Sequence, residues 1–174
     1  MALLWCKELA GERYEVRSAG SSYRLYRNGV FHSQFNESRE LAGGVWDLLM
    51  LPALFCPPDS MRRVLVLGVG GGAVIRQLQR YLSNAHIVGV ELDGIHLELA
   101  ERFFGVTGDE VELHCADARD WLRDYQGEGF DLIIDDLFFE QQGEPMRAVM
   151  VDQSWLMQLQ LHLNPSGVLV FNFA

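Results

Sequence analysis

The pattern of apolar and polar residues along the chain changes near residue 60. The stretches 12–18 and 22–35 alternate apolar and polar side chains over short distances, which is typical of strands. Asn28-Gly29 lies between two apolar pairs and is a strong hairpin signal, because both residues of the favoured turn take positive φ. We therefore expect a small N-terminal unit, residues 1–60, that contains a β-hairpin.

A helix is predicted at the end of this unit. Leucine and valine recur near helical spacing over Ser38–Leu51, and Pro52 follows where the pattern stops. The stretch 56–60, CPPDS, is rich in residues that interrupt regular structure. It is predicted to link the two units.

From Val64 onward, apolar strands and amphipathic helices alternate. The predicted strands are Val64–Leu67, His86–Glu91, Val111–Ala116, Phe130–Asp136 and Gly167–Phe173. The predicted helices are Ala73–Leu82, Ile95–Phe104, a short helix through Trp121 and Leu122, and Gln153–Leu163. Such alternation predicts a doubly wound, mostly parallel α/β sheet with right-handed crossovers, here over residues 61–174.

Glycines follow the first of these strands. They stand at Gly68, Gly70, Gly71 and Gly72. In a doubly wound sheet a ligand binds outside the carboxyl ends of the strands, and glycine lets it approach the backbone and the N–H groups of the next helix. We expect these four residues to contact a nucleotide-like ligand.

Acidic residues end the other strands that lead to this edge. Glu91, with Leu92 and Asp93 after it, stands 19 residues beyond Gly72, where a carboxylate can accept hydrogen bonds from both ribose hydroxyls. Asp117 follows the third strand. Asp93 and Asp117 could equally cap the helices that begin beside them. This arrangement suits NAD and an adenosyl sulfonium alike.

Charge restricts the classes of partner. The chain has a net charge of −10, and residues 64–174 hold six basic and seventeen acidic side chains. Such a surface repels a phosphate backbone, so we expect no nucleic-acid partner and a small, cationic substrate. No apolar run reaches bilayer length, and three widely spaced cysteines form no metal-ligand pattern. We expect a cytoplasmic protein with neither a metal nor a membrane partner.

Several motifs together resemble the spermidine synthase-like family within the class I S-adenosylmethionine-dependent methyltransferase superfamily. They are RLYRNGVFHSQFNESRE, RRVLVLGVGGGAVIRQL, GVELDGIHLELAERFF, CADARDWL and GFDLIIDDLFFE. The resemblance implies that Asp117 accepts from the adenine amino group and that the Ala118 N–H reaches a ring nitrogen. It also implies a Rossmann domain whose last two strands are missing, a homo-dimer, and S-adenosylmethionine or its decarboxylated form as cofactor.

The chain departs from the family at the reacting end. Aligned on the fourth-strand motif, the first family aspartate falls at Asp136, and the second, which helps deprotonate the amine, falls at Phe139. Gly71 stands where the family has an aspartate that holds the cofactor amine, and His32 where a cofactor-contacting glutamine is usual. Without that aspartate we expect room for the carboxylate of ordinary S-adenosylmethionine, which favours methyl transfer.

Three hypotheses therefore stand. The first is methyl transfer from S-adenosylmethionine to a small, cationic acceptor, and the second is aminopropyl transfer from the decarboxylated cofactor. The third is a nucleotide-binding or subunit-forming relative without catalysis. The candidate catalytic carboxylates are Asp135, Asp136 and Glu140. Asp135 is also a candidate contact for the cofactor.

Overall fold

An antiparallel sheet of four strands occupies the N-terminal part of the chain. The computed structural model describes residues 1–36, 38–39, 41, 43–57 and 59–173. The strands are β1 (Ala2–Leu9), β2 (Glu12–Ala19), β3 (Ser22–Arg27) and β4 (Val30–Asn36), paired in that order. The predicted hairpin is present, with Asn28 at φ 50° and Gly29 at φ 83°. Strand β1 was not predicted, because its largely exposed side chains show no clean alternation.

Helix α1, Val45–Leu54, differs from the prediction at both ends. Residues 38, 39 and 41 of the predicted range are not helical, and residues 40 and 42 lie outside the described part. The helix begins late because Gly43 has a φ of +81° and Gly44 is extended, while their N–H groups bond to the Asp47 carboxylate. It also continues through Pro52, which was expected to lie beyond its end.

A five-stranded parallel sheet forms the centre of the remaining chain. Its strands are β5 (Arg63–Leu67), β6 (His86–Glu91), β7 (Val111–Cys115), β8 (Phe130–Asp135) and β11 (Leu163–Phe171), in the order β11-β8-β5-β6-β7. The helices are α2 (Ala73–Tyr81), α3 (Gly94–Phe104), α4 (Ala118–Asp124) and α5 (Gln153–Leu161). The predicted doubly wound, mostly parallel α/β fold with a separate N-terminal sheet is confirmed.

The central strand β5 is apolar throughout because both of its faces are covered. Val64 and Val66 pack with α2, α3 and the N-terminal sheet, while Leu65 and Leu67 pack in a second core with α4 and α5. All four side chains are almost fully buried. This packing fixes the carboxyl end of β5 between those of β6 and β8.

A second hairpin, absent from the prediction, lies between β8 and α5. Strands β9 (Phe138–Gln141) and β10 (Glu144–Arg147) pair in antiparallel fashion. Gln142 and Gly143 turn the chain at φ 56° and 83°. The sequence signal was this single glycine between two short segments, one of which contains a proline.

Candidate functional site

The strand ends meet at a cleft of about 630 Å³. Its floor is formed by the residues that follow β5, β6, β7 and β8, the edge at which a doubly wound sheet binds its ligand. Its other walls come from the N-terminal sheet, the start of α1 and the β9–β10 hairpin, and include Tyr14, Arg27, His32, Trp46, Phe138 and Phe139. The cleft is therefore built by residues from the whole length of the chain.

Two of the predicted glycines line the cleft and bring chain segments close together. A Cβ at Gly68, where φ is +87°, would clash with the backbone carbonyl of Asp136. A Cβ at Gly70, where φ is +54°, would lie 3.1 Å from the carbonyl oxygen of His32. The absence of a side chain at these positions lets β4, β5 and β8 meet at one point.

Gly71 and Gly72 face neighbouring elements instead. A Cβ at Gly71 would stand 2.7 Å from Cβ of Ser33 and 3.1 Å from Phe104, and one at Gly72 would clash with Val106. Neither glycine is among the residues that line the cleft. The room for a cofactor carboxylate expected beside Gly71 is therefore absent, because β4 and α3 fill that space.

Glu91 is held in place by backbone N–H groups. Its Oε2 accepts from Val69 at 3.0 Å and from Gly70 at 2.9 Å, and its Oε1 accepts from Asp93 at 2.9 Å. Burial alone would raise the pKa of Glu91, but His96 and these backbone donors stabilise the carboxylate and lower its pKa to about 2. The anion keeps unused lone pairs, so it can still accept hydrogen bonds from a ligand.

Asp93 joins the two sheets. It caps α3 by accepting from the Ile95 N–H at 2.9 Å, as the capping alternative predicted. Its other oxygen accepts from the Tyr14 hydroxyl at 2.7 Å and lies 3.6 Å from Arg27. Burial, together with the hydrogen bond to Asp93, raises the pKa of Tyr14 to about 12. Leu92, which precedes Asp93 in the chain, is 71% exposed at the rim of the cleft.

Asp117 lines the cleft and also caps α4. Its Oδ1 accepts from the Arg119 N–H at 2.8 Å and from the Asp120 N–H at 3.4 Å. Burial acts to raise its pKa, but these backbone hydrogen bonds and the Arg119 side chain lower it overall. Ala118 follows at the first position of the helix and lines the cleft as well. The structure thus brings Asp117 and Ala118 to the same cleft as Glu91.

Asp136 is the carboxylate of the cleft that lies beyond β8. The Nδ2 of Asn172 donates to its Oδ1 at 2.7 Å, and Trp46 lines the cleft with it. Burial is the main reason that the pKa of Asp136 is raised to about 7, and the nearby charge of Asp135 adds to it. The Asn172 hydrogen bond, Trp46 and Arg147 lower the pKa and offset only part of this rise. Such a carboxyl exchanges a proton near neutral pH.

Asp135 lies beneath the cleft and does not line it. Its side chain is 1% exposed and forms an ion pair with Arg147 at 2.8 Å. It also accepts from the Trp155 indole at 2.8 Å. The structure does not bring Asp135 to the cleft, since Arg147 and Trp155 both bond to its Oδ2 and the Leu137 N–H bonds to its Oδ1 at 3.2 Å.

Glu140 also lies outside the residues that line the cleft. Its carboxylate accepts from the Asn28 side chain at 2.9 Å and from the Gly143 N–H at 3.2 Å. It therefore joins the tips of the two hairpins. The structure brings only Asp136 of the three candidate catalytic carboxylates to the cleft.

Several cleft residues escaped the sequence prediction. His96 is 4% exposed on α3, its ring centroid lies 5.0 Å from that of His32, and its Nε2 has no hydrogen-bond partner. Trp46 and Tyr14 reach the cleft from elements far away along the chain. No local motif marks these residues, because only the packing of the N-terminal sheet on the main sheet places them there.

The order of the strands and the position of the cleft define the fold as the methyltransferase-like Rossmann class. The model of the "Spermine/spermidine synthase domain" family matches residues 47–172. The chain belongs to this family, as its motifs indicated.

Named relatives include enzymes of two kinds. The chain is 32% identical to the polyamine aminopropyltransferase of Vibrio vulnificus over 122 residues, which cover 68% of this chain and 39% of that protein. Spermidine synthase from Thermotoga maritima superposes with a TM-score of 0.64 at 16% identity, covering 97% of this chain and 55% of that one. Human methyltransferase-like protein 13 in complex with SAH superposes with a TM-score of 0.58 at 26% identity, covering 72% and 60%.

The chain matches only part of the length of these relatives. The chain spans 34–39% of the length of the first three curated relatives that it matches. Within the described residues, no helix is long and apolar enough to cross a membrane, and no cluster of three or more His, Cys, Asp or Glu could hold a metal ion.

Proposed function

We propose that the cleft binds a decarboxylated S-adenosylmethionine-type nucleoside and that the protein transfers the aminopropyl group to a primary amine. Membership of the family and the relatives named polyamine aminopropyltransferase favour this reaction over the methyl transfer expected first. The preference for methyl transfer depended on room beside Gly71, and Ser33 and Phe104 fill that room.

The residues present fit the nucleoside. The ionised carboxylate of Glu91 supplies acceptors for the two ribose hydroxyls, and its backbone clamp holds it in one orientation. Asp117 retains Oδ2, which lies 3.5 Å from an exposed Arg119 guanidinium, as an acceptor for the adenine amino group. The Ala118 N–H lies at the first turn of α4, where helical N–H groups have no partner within the helix.

Asp136 carries the proposal, because it can serve as the base. An attacking amine must lose a proton, and a carboxylate with a pKa of about 7 can accept it near neutral pH. The sulfonium supplies an electrophilic carbon and a thioether leaving group. Asn172 holds the Asp136 carboxylate in place at the cleft floor. The base is therefore available although Phe139 replaces the second family aspartate.

Methyl transfer is the second candidate, and two observations favour it. Neither Gly71 nor Phe139 supplies the aspartate that the family carries there, and one structural neighbour is a methyltransferase-like protein in complex with SAH. Both reactions use the same nucleoside end of the cleft. They differ in the product that the nucleoside leaves behind.

Product analysis separates the two reactions. The protein is incubated with primary amines and either decarboxylated S-adenosylmethionine or S-adenosylmethionine, and nucleoside products are measured by chromatography. We expect 5′-methylthioadenosine from the first cofactor, and its loss in Asp136→Asn but not in Asp109→Asn, an exposed aspartate away from the cleft. If S-adenosylhomocysteine forms from S-adenosylmethionine and no 5′-methylthioadenosine forms from the decarboxylated cofactor, the reaction is methyl transfer and not aminopropyl transfer. No product from either would contradict both.

A further inference from the structure

A buried imidazole lies beside the Glu91 carboxylate. His96, in the first turn of α3, is 4% exposed, and its Nδ1 lies 3.9 Å from Oε1 of Glu91. Its Nε2 lies 4.0 Å from Oδ2 of Asp93. The ring meets that of Tyr14 edge to face with centroids 5.9 Å apart, and its centroid lies 5.0 Å from that of His32. Two carboxylates and two rings of the N-terminal sheet therefore hold this imidazole in one place.

Folding stability does not account for the imidazole of His96. Its Nε2 is buried and has no hydrogen-bond partner among the described residues. A buried polar atom without a partner destabilises a folded protein, and an apolar side chain of similar size avoids that cost. Asp93 does not depend on the imidazole either, because it accepts from the Tyr14 hydroxyl and from the Ile95 N–H. The use of the imidazole therefore lies at the cleft, which His96 lines.

The two oxygens of Glu91 are held unequally by the backbone. Oε2 accepts from the N–H groups of Val69 and Gly70, whereas Oε1 accepts only from that of Asp93. The Nδ1 of His96 lies on the side of Oε1. Burial acts to raise the pKa of Glu91, and His96 is the strongest of the influences that lower it to about 2. His96 thus supports the oxygen that has the fewer backbone donors.

We propose that His96 is a positioning residue for the nucleoside, which fixes Oε1 of Glu91 so that the carboxylate accepts from both ribose hydroxyls. This inference rests on the proposed function. A ligand-binding group is precise only when the groups behind it lock its orientation. His96 acts through Glu91 and not by contact with the nucleoside, because its Nε2 is buried. Tyr14 and His32 contribute by holding the ring.

Two nucleosides that differ only in the ribose hydroxyls test this role. 5′-Methylthioadenosine and its 2′,3′-dideoxy analogue are titrated calorimetrically into the unchanged protein and into His96→Leu. We expect His96→Leu to weaken binding of 5′-methylthioadenosine about tenfold, because a hydrogen bond to a charged acceptor is impaired, and to change binding of the analogue by less than about twofold. Equal losses for both nucleosides, or no loss for 5′-methylthioadenosine, would overturn the inference.

Two substitutions of His96 separate positioning from packing. His96→Leu removes both ring nitrogens and keeps most of the volume, so it should be at least as stable as the unchanged protein in urea unfolding and yet distinguish the two nucleosides poorly. His96→Asn places an amide nitrogen near the position of Nδ1 but fills less space, so it should lose stability and keep the distinction. The reverse order would show that His96 only packs, and would contradict the proposal.

His86 provides a matched control. Its Nε2 lies 3.9 Å from Glu112, and its Nδ1 is buried without a hydrogen-bond partner among the described residues, as the Nε2 of His96 is. Neither His86 nor Glu112 lines the cleft. His86→Leu should therefore leave the binding of both nucleosides unchanged. A selective loss of 5′-methylthioadenosine in this variant as well would show that the effect is not local, and would overturn the inference.

A double-mutant cycle separates the inference from the proposed function. If His96 acts through Glu91, His96→Leu should weaken 5′-methylthioadenosine by less than about twofold once Glu91→Gln is present. Additive losses would overturn the role of His96 and leave the nucleoside site intact.

A measurement without ligand decides the inference even where the proposed function fails. Failure of the unchanged protein to bind 5′-methylthioadenosine would contradict the proposed function. The Asp93 amide proton, which bonds to Oε1 of Glu91, should still exchange with solvent faster in His96→Leu than in the unchanged protein or in His96→Asn, because Oε1 loses its support. Equal exchange of this proton in His96→Leu and the unchanged protein, followed by NMR, would overturn the inference.

Discussion

Asp135 and Asp136 are adjacent in sequence, yet the fold gives them opposite environments. Successive side chains of an extended segment point to opposite sides. Asp135 therefore meets Arg147 and Trp155 beneath the cleft, while Asp136 enters the cleft and bonds to Asn172. The pair was recognisable as important from its position at a strand end. Its division into a buried ion pair and a cleft carboxylate required the structure, because Arg147 and Trp155 follow 12 and 20 residues later.

The raised pKa of Asp136 predicts a particular pH dependence. Activity should rise as the pH increases through about 7, because only the deprotonated carboxylate accepts the amine proton. The carboxyl carbon of Asp136, followed by NMR in the ligand-free protein, should titrate at about the same pH. Asp136→Asn should lower kcat by about 10²–10⁴-fold, as expected for removal of a general base.

The same group makes the opposite contribution to folding stability. The folded protein binds the Asp136 proton more tightly than the unfolded chain does, so this contribution is lost as the pH rises from about 4 to about 7. Titration of Asp136 near pH 4, its ordinary range, would contradict both statements.

Other residues show how far the sequence could predict the site. Glu91 and Asp117 could be predicted from the sequence, because the apolar pattern locates the ends of the strands. Both residues line the cleft. Gly71 and Gly72 do not line the cleft, because spacing within a glycine loop does not tell which glycines face it. His96 and Trp46 were missed, since each reaches the cleft through contacts distant in sequence.

At the scale of elements, the loop after β5 depends on Gly68. Gly68→Ala should destabilise the protein strongly, because an added Cβ would clash with the backbone of Asp136 at a φ of +87°. Gly143→Ala is the matched control, since Gly143 has a φ of +83° and open space around it, and should cost about 1 kcal/mol. Chemical denaturation of both variants measures the difference. Equal losses would contradict a tight approach of β8 to this loop.

The β9–β10 hairpin depends on Arg147 in a similar way. This side chain bonds to Asp135, to the Asn172 carbonyl and to the Val149 carbonyl, and it packs over the rings of Phe138 and Phe173. The hairpin that forms one wall of the cleft is thereby tied to the ends of β8 and β11.

Removal of this arginine should therefore be costly. Arg147→Gln should lower the free energy of unfolding by about 3–5 kcal/mol, because it leaves the Asp135 charge buried without its partner. Arg123→Gln removes an exposed arginine that pairs with Asp120 and should change stability by less than about 1 kcal/mol. Urea unfolding of both variants gives the comparison, and a loss below about 1 kcal/mol in Arg147→Gln would contradict the account.

The elements differed in how well the sequence predicted them. Strands of the central sheet were located within a few residues, because burial on both faces produces continuous apolar runs. Helix α1 was placed too early and ended too soon, since Gly43 and Gly44 delay its start and Pro52 does not stop it. Strand β1 and the β9–β10 hairpin were missed because their exposed side chains carry little periodic signal.

At the scale of the whole molecule, the cleft exists only where the two sheets meet. Tyr14 and Arg27 of the N-terminal sheet contact Asp93, while Gly70 approaches the backbone of His32.

The division into residues 1–60 and 61–174, and the homo-dimer, stay predictions. Sedimentation equilibrium measures the oligomeric state directly and so tests the homo-dimer. The acidic balance of residues 64–174 agrees with a cationic acceptor, which it attracts over a distance.

Calorimetric titration tests the central claim, a nucleoside site built on Glu91, most directly. We expect decarboxylated S-adenosylmethionine and 5′-methylthioadenosine to bind the protein, and binding to weaken by about 1–3 kcal/mol in Glu91→Gln, which loses hydrogen bonds to a charged acceptor. Glu98→Gln, an exposed change on the following helix α3, should bind as the unchanged protein does. Failure of both nucleosides to bind, or equal binding by the Glu91→Gln variant, would contradict the site.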